Sequence, residues 1–153
     1  SVTTGSASAD AAEIIAGDPF ARHLGMELLH LAPGHSRVRM PLVPAMQNFN
    51  GLVHGGAIFA LADAAFAAAS NAHGTVAIAL SMSIQFLRAP SSAARLVAEA
   101  REVRLGRTTG VYEITVAEEG GREVARAQGV AHRRDAPLAD HRPADHGRGG
   151  NGS

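Results

Sequence analysis

One stretch holds both kinds of polar group that stand out against the apolar middle of this chain. His54-Gly55-Gly56 opens it, and a single carboxylate, Asp63, follows eight residues after Gly55. From Ala57 to Ala69 the run is Ala, Leu, Ile and Phe around that carboxylate, with no Pro, which predicts a helix. Glycines at a helix start leave backbone N–H groups uncovered by side chains. Those groups have no partner within the helix and lie at the positive end of its dipole, so they suit an anion or a polarised carbonyl. A carboxylate in apolar surroundings is poorly hydrated and is a better base than in water. Polarising a carbonyl and activating or delivering water are the two needs of hydrolysis at an acyl carbon.

Plainer readings stand beside each of these. The two glycines also permit close helix–strand packing. His54 also suits a helix cap, and Asn48 in the preceding loop suits a turn. Asp63 also reads as a buried, hydrogen-bonded carboxylate or as one facing solvent, although an unpaired Asp among Ala, Leu and Phe is costly. A membrane span is set aside, because Ala is weakly lipophilic, Asp63 is expensive at mid-bilayer and no Arg cluster flanks the run.

A helix apolar on every face must be wrapped by other elements. The surrounding sequence supplies strands. Asp18-Pro19 reads as N-cap and first position of a short helix, with Phe20 and Leu24 inward and Gly25 ending it. Met26–Leu31 and His35–Leu42 read as strands about a Pro33-Gly34 turn, the second alternating Val38, Met40 and Leu42 with Arg37, Arg39 and Pro41. The helix is expected to end near Asn71, with Gly74 available for a left-handed cap. Thr75–Leu87 reads as the longest strand. Val76, Ile78, Leu80, Met82, Ile84 and Phe86 share one face; Ala77, Ala79, Ser81, Ser83 and Gln85 share the other. Arg95–Arg104, Val111–Glu118 and Arg122–His132 complete the set, with Gly120-Gly121 as a hairpin turn. One helix among runs of strands predicts an α+β fold with an antiparallel sheet curled around that helix. Residues 1–17 are expected to form a flexible N-terminal segment, 18–132 the domain, and 133–153 a disordered tail rich in Gly, Pro, Arg, Asp and His.

Composition narrows the function classes. The 153 residues suit one domain. Arg balances Asp plus Glu, giving a formal net charge of zero and no nucleic-acid footprint. No cysteine is present, so there is neither disulfide nor thiolate chemistry. Ser1–Ala12 lacks the basic start and apolar core of a secretory signal, so a cytoplasmic protein is expected. No Gly-x-Ser-x-Gly elbow and no phosphate loop occur. His132, His141 and His146 fall at or in the expected tail and are not taken as metal ligands, so no metal is expected.

Asn48-x-x-Gly51-x-x-His54-Gly55-Gly56, followed by Phe59, Leu61-Ala62-Asp63 and Ala65-Phe66, resembles the hotdog-fold acyl-CoA thioesterases of the phenylacetate-degradation type. Ser83-Ile84-Gln85-Phe86-Leu87-Arg88-x-Pro90 and Gly106-Arg107-Thr108-x-Gly110-Val111-Tyr112 extend the resemblance, which spans roughly residues 18 to 132. The resemblance implies a five- or six-stranded sheet around one buried helix, dimers pairing into tetramers, and hydrolysis of aryl- or arylacetyl-CoA with no cofactor beyond the CoA of the substrate. It implies Asp63 as nucleophile or general base, the Gly55 amide on the thioester carbonyl, and Asn48 and His54 as positioning groups. Gly56 and one of Ser81 and Ser83, with Ala79 competing for the place, would line the substrate site. Arg88, Arg107 and Thr108 are candidate contacts for CoA; the two arginines read equally as solvated strand-end residues. A hydratase or dehydratase of acyl thioesters and a non-catalytic acyl-CoA-binding subunit are the competing functions. Gly55 and Asp63 are ~12 Å apart along one helix, so one helix cannot bring both to one acyl carbon. Two antiparallel helices across a two-fold axis can, which predicts sites shared between subunits of a homodimer.

Overall fold

The computed structural model describes residues 2–5 and 7–141. In chain order the elements are β1 (Thr3–Thr4), α1 (Ala9–Ala16), α2 (Pro19–His23), β2 (Glu27–Ala32), β3 (His35–Pro41), α3 (Gly55–Asn71), β4 (Thr75–Phe86), β5 (Arg95–Leu105), β6 (Thr109–Glu118) and β7 (Glu123–Pro137). Short 3-10 turns at Pro44–Met46 and Leu138–His141 complete the described chain. One sheet runs in the order β1-β2-β3-β5-β6-β7-β4. Every pairing is antiparallel except the two-residue β1 alongside β2. Six strands therefore match the expectation, and β1 adds a seventh at one edge. Among the described residues no helix is long and apolar enough to cross a membrane.

Helix α3 lies in the concavity of this sheet. Ile58, Leu61, Ala62, Ala65, Phe66 and Ala69 are buried and meet Met40, Leu96, Ala98, Ile114, Val116 and Ala127 from the strands. The many Ala side chains let the helix sit close to the sheet, and Ser36 on β3 ties the two by donating its hydroxyl to the Ala65 carbonyl at 2.6 Å. Gly129 on β7 is required by the same closeness. A Cβ there would stand 2.8–3.0 Å from three Phe66 ring atoms, and that ring is held edge-on to Tyr112 with centroids 5.4 Å apart. At the helix end Gly74 takes the left-handed conformation, φ 90°, as expected. Asn71 donates to the Ala67 and Ala77 carbonyls and accepts the Ala77 N–H, stitching α3 to β4.

Four expectations need correction. The lead-in segment is not wholly loose: α1 forms over Ala9–Ala16, capped by Ser8, and Ala11 packs on Val76 and Leu138. The domain does not stop at His132, because β7 continues to Pro137 and pairs with Thr75 and Ala77; of the expected tail, residues 142–153 and with them His146 lie outside the described residues. Phe20 is 61% exposed rather than inward. Strand β4 does not keep one apolar face, because a bulge between Ala79 and Ser81 resets its alternation. Ala77 packs on the core before the bulge and Met82 and Ile84 after it, which leaves Ile78 and Leu80 exposed on the edge strand.

Candidate active site at the start of the central helix

The loop before α3 is shaped by its own polar groups. Asn48 Oδ1 accepts the N–H groups of Asn50 (2.9 Å) and Leu52 (3.1 Å), and the Asn48 N–H donates to the Leu52 carbonyl at 2.7 Å. Gly51 stands at φ 74°, a conformation that favours glycine. His54 then caps the helix. Its Nδ1 accepts the Gly56 N–H at 2.9 Å, which puts the proton of the neutral ring on Nε2. The His54 carbonyl accepts Ala57 N–H at 3.0 Å and Ile58 N–H at 3.5 Å. A Cβ on Gly56 would come within 3.0 Å of His54 Nδ1, so glycine there keeps the cap in place.

Among the described residues this accounting leaves the Gly55 N–H as the amide of the first turn with no acceptor. Gly55 lines a pocket of ≈ 270 Å³ together with Asn48, Leu52, Ile58, Phe86, Arg88 and Pro90. Phe86 lies over Gly55, and a Cβ there would meet its ring at 3.2 Å. Arg88 touches Glu118 only at 3.5 Å, and its Nε is buried with no acceptor among the described residues. Close packing and an uncovered amide thus coexist at Gly55.

Asp63 is elsewhere on the same helix. Gly56, Phe59 and Asp63 are exposed and Ala60, Ala64 and Ala67 half-buried, so one stripe of α3 is left uncovered by its own chain. The expectation of a helix wrapped on every side is corrected here: the sheet covers the opposite face, and Asp63 stands on the open one. Partial loss of hydration, and then the neighbouring Asp18 carboxylate, raise its proton affinity above the ordinary aspartate range. It makes no hydrogen bond or ion pair among the described residues. Asp18 itself caps α2, accepting from Phe20 and Ala21 N–H at 3.0 and 3.2 Å.

The remaining candidates divide. Ser81 and Ser83 alternate with the core-facing Met82 and Ile84, so they turn to the outer face of β4 and line neither Gly55 nor its pocket. Arg107 and Thr108 form the exposed β5–β6 turn. Arg88 lies by Glu118 at the far end of β6, roughly 30 Å away along the strand. Within one chain the two arginines therefore cannot hold the same end of one substrate. Among the described residues no group of His, Asp or Glu could hold a metal. Sequence reasoning missed Ser36, the influence of the Asp18 charge on Asp63 and the exposure of the Asp63 stripe; all three depend on elements distant in sequence, and no local pattern signals them.

Residues 50–125 match the family model described as the thioesterase superfamily. The chain belongs to that superfamily, has its hotdog fold, and is a thioester hydrolase. Among the proteins it is similar to is the acyl-coenzyme A thioesterase PaaI of Escherichia coli strain K12, 36% identical over 76% of this chain and 83% of that one. The solved structure of the E. coli PaaI protein superposes with a TM-score of 0.80 over 86% of this chain and 99% of that one, at 33% identity. A mutant of the phenylacetic acid degradation protein PaaI of Thermus thermophilus superposes with a TM-score of 0.73, at 42% identity over 76% of this chain and 100% of that one. A Streptococcus mutans protein whose structure was determined bound to acetyl CoA is 30% identical, TM-score 0.70, over 73% of this chain and 90% of that one.

Proposed function

We propose that this protein hydrolyses acyl-CoA thioesters of the aryl- or arylacetyl-CoA type to the free acid and CoA. The observation that carries this reading is the Gly55 N–H, left without an acceptor at the start of α3 on a residue that lines a pocket. The thioester carbonyl takes that amide, which meets the charge that develops on oxygen as the acyl carbon becomes tetrahedral. His54 holds the Gly56 N–H and so fixes the first turn, and Asn48 fixes the loop that borders the pocket. Asp63 carries the water step, as general base or as nucleophile, and its raised proton affinity suits either role at neutral pH. Similarity to PaaI proteins supports the acyl class, and similarity to a protein bound to acetyl CoA supports the CoA ester.

Gly55 and Asp63 belong to opposite subunits of a homodimer in this reading, and two such dimers pair into a tetramer. The open stripe on α3 and the exposed apolar side chains of edge strand β4 support the dimer. The same pairing resolves the separation of the arginines: Arg88 of one chain and Arg107 with Thr108 of the other serve one CoA. Ser81 and Ser83, on the outer face of β4, reach a site only from across such an interface. The place of work is the cytoplasm. The test is CoA release, followed with a thiol reagent, over a panel holding phenylacetyl-, hydroxyphenylacetyl-, benzoyl-, propionyl- and crotonyl-CoA, for the wild type and Asp63→Asn. The wild type releases CoA from the aryl esters and does not hydrate crotonyl-CoA. Asp63→Asn loses about 100- to 10,000-fold in kcat, the scale of a removed proton-transfer group. Near-normal turnover by folded Asp63→Asn refutes the assignment. Single turnover in ¹⁸O-water separates its two roles, since only a nucleophilic Asp63 acquires label.

A further inference from the structure

A second and larger cleft, of ≈ 670 Å³, lies against the same helix and is used by nothing described so far. Its walls are Ile14 and Ile15 from α1, Met26 and Leu28 at β2, Val38 from β3 and Leu138 after β7. Its floor is α3, through Ala64, Ala67, Ala68 and Asn71. Ala64 follows Asp63 directly, and Asp18, whose charge Asp63 feels, lines the cleft as well. The floor therefore begins next in the helix to Asp63, which does not itself line the cleft, and runs from there toward the helix end.

We propose that this cleft is the acyl subsite, and that it belongs to the subunit that supplies Asp63 rather than to the one that supplies Gly55. The proposal rests on the shared-site reading above and extends it to acyl chain length. From Asp63 to Asn71 is eight residues, a run of ~12 Å along the helix axis. Asn71 lines that end, its side chain held by hydrogen bonds to Ala67 and Ala77. An extended hydrocarbon advances about 1.25 Å per carbon, from C–C bonds of ~1.52 Å in a zigzag, so the floor accommodates about nine or ten carbons. The walls are mostly aliphatic, with Glu13, Asp18 and Arg22 also lining the cleft, and its volume, in the range of roughly 300–1,000 Å³ that suits drug-sized ligands, exceeds what a phenylacetyl group fills. The enzyme thus takes medium-length acyl chains, and aryl groups on a longer tether, besides arylacetyl groups. Once the thioester carbonyl is on the Gly55 amide of one chain, the acyl tail passes Asp63 of the other and lies on Ala64 and Ala67.

The test is the ratio of kcat/KM for decanoyl-CoA to that for propionyl-CoA in the full-length protein. Ala21→Phe on α2 and Ile14→Phe on α1 narrow the cleft from two sides, since both residues line it. Each lowers the ratio at least tenfold, with folding checked by circular dichroism. Two independent variants keep the test decisive if one fails to fold. In mixed dimers of Asp63→Ala with His54→Ala chains, the surviving site draws Asp63 from the His54→Ala chain. Ala21→Phe placed in that chain lowers the ratio far more than Ala21→Phe placed in the Asp63→Ala chain. A wild type that releases CoA, with both variants within twofold of its ratio, overturns the cleft assignment alone. Equal effects from either chain overturn its placement in the Asp63-supplying subunit. A wild type that cleaves no ester of the series overturns the thioesterase reading of the site and the cleft assignment with it.

Discussion

The shared site can be tested by mixing two dead enzymes. Both Gly55 and Asp63 lie on α3, eight residues and ~12 Å apart along its axis. A reacting carbon must lie within about 3–3.5 Å of the group that attacks it. Asp63 also stands on the uncovered stripe, turned away from the sheet that lines the Gly55 pocket. One chain therefore presents half of a site at each end of that separation. His54→Ala removes the cap on Gly56 and damages the amide half; Asp63→Ala removes the carboxylate half. Each homodimer then carries two defective sites, and each is first shown to be inactive. In a mixed dimer one site collects both defects and the other collects none. Random pairing makes about half of the dimers mixed, each with one good site of two, so activity returns to roughly a quarter of wild type by two-fold symmetry. The chains are tagged differently, co-expressed and purified through both tags, which removes tetramers built from one chain type alone and leaves the expected value a little above a quarter. If doubly tagged tetramers stay as inactive as the parents, each chain holds a complete site and the two-helix geometry is wrong.

Two further predictions concern stability. Asp63 has a raised proton affinity in the folded chain, so its carboxylate form costs stability that is fully felt above the folded pKa and vanishes as pH falls below the ordinary aspartate value near 3.8. Asp63→Asn is therefore more stable than wild type at pH 7, and the difference closes on acidification; urea melts at pH 7 and pH 3.5 check this, and an equal or lower midpoint at pH 7 refutes it. Gly129→Ala puts a Cβ within 3.0 Å of the Phe66 ring, which packs edge-on against Tyr112, the residue paired with Gly129 on β6, so overpacking costs about 1–3 kcal/mol. A melting temperature unchanged within 1 °C, against an expected fall of about 2–10 °C, shows that the ring can yield.

Much of this architecture was legible in the sequence because it rests on local rules. The helix follows from a Pro-free run of Ala with Leu, Ile and Phe around Asp63, and it ends at Asn71 as read. Asp18 with Pro19 announces α2, Gly74 announces the end of α3, and alternation places Leu96, Ala98, Ala100, Tyr112, Ile114 and Val116 inward. The His54-Gly55-Gly56 start was legible for the same reason, since the cap and the amides it leaves open are set within one turn. Other features waited on the fold. Alternation along β4 failed because a bulge is decided by the partner strand, and nothing within Thr75–Phe86 marks it. Phe20 read as core because size and hydrophobicity are visible in a sequence, whereas the wall it would need is not. Asp63 is the clearest division between the two. Its identity and its place eight residues after Gly55 come from the sequence alone. Its exposure on an open stripe, the nearby Asp18 charge and the cleft at its side come from β2, β3, α1 and α2 meeting around α3. Spacing along one chain fixes distances along a helix axis, but which face of that helix is covered depends on contacts between segments far apart in sequence.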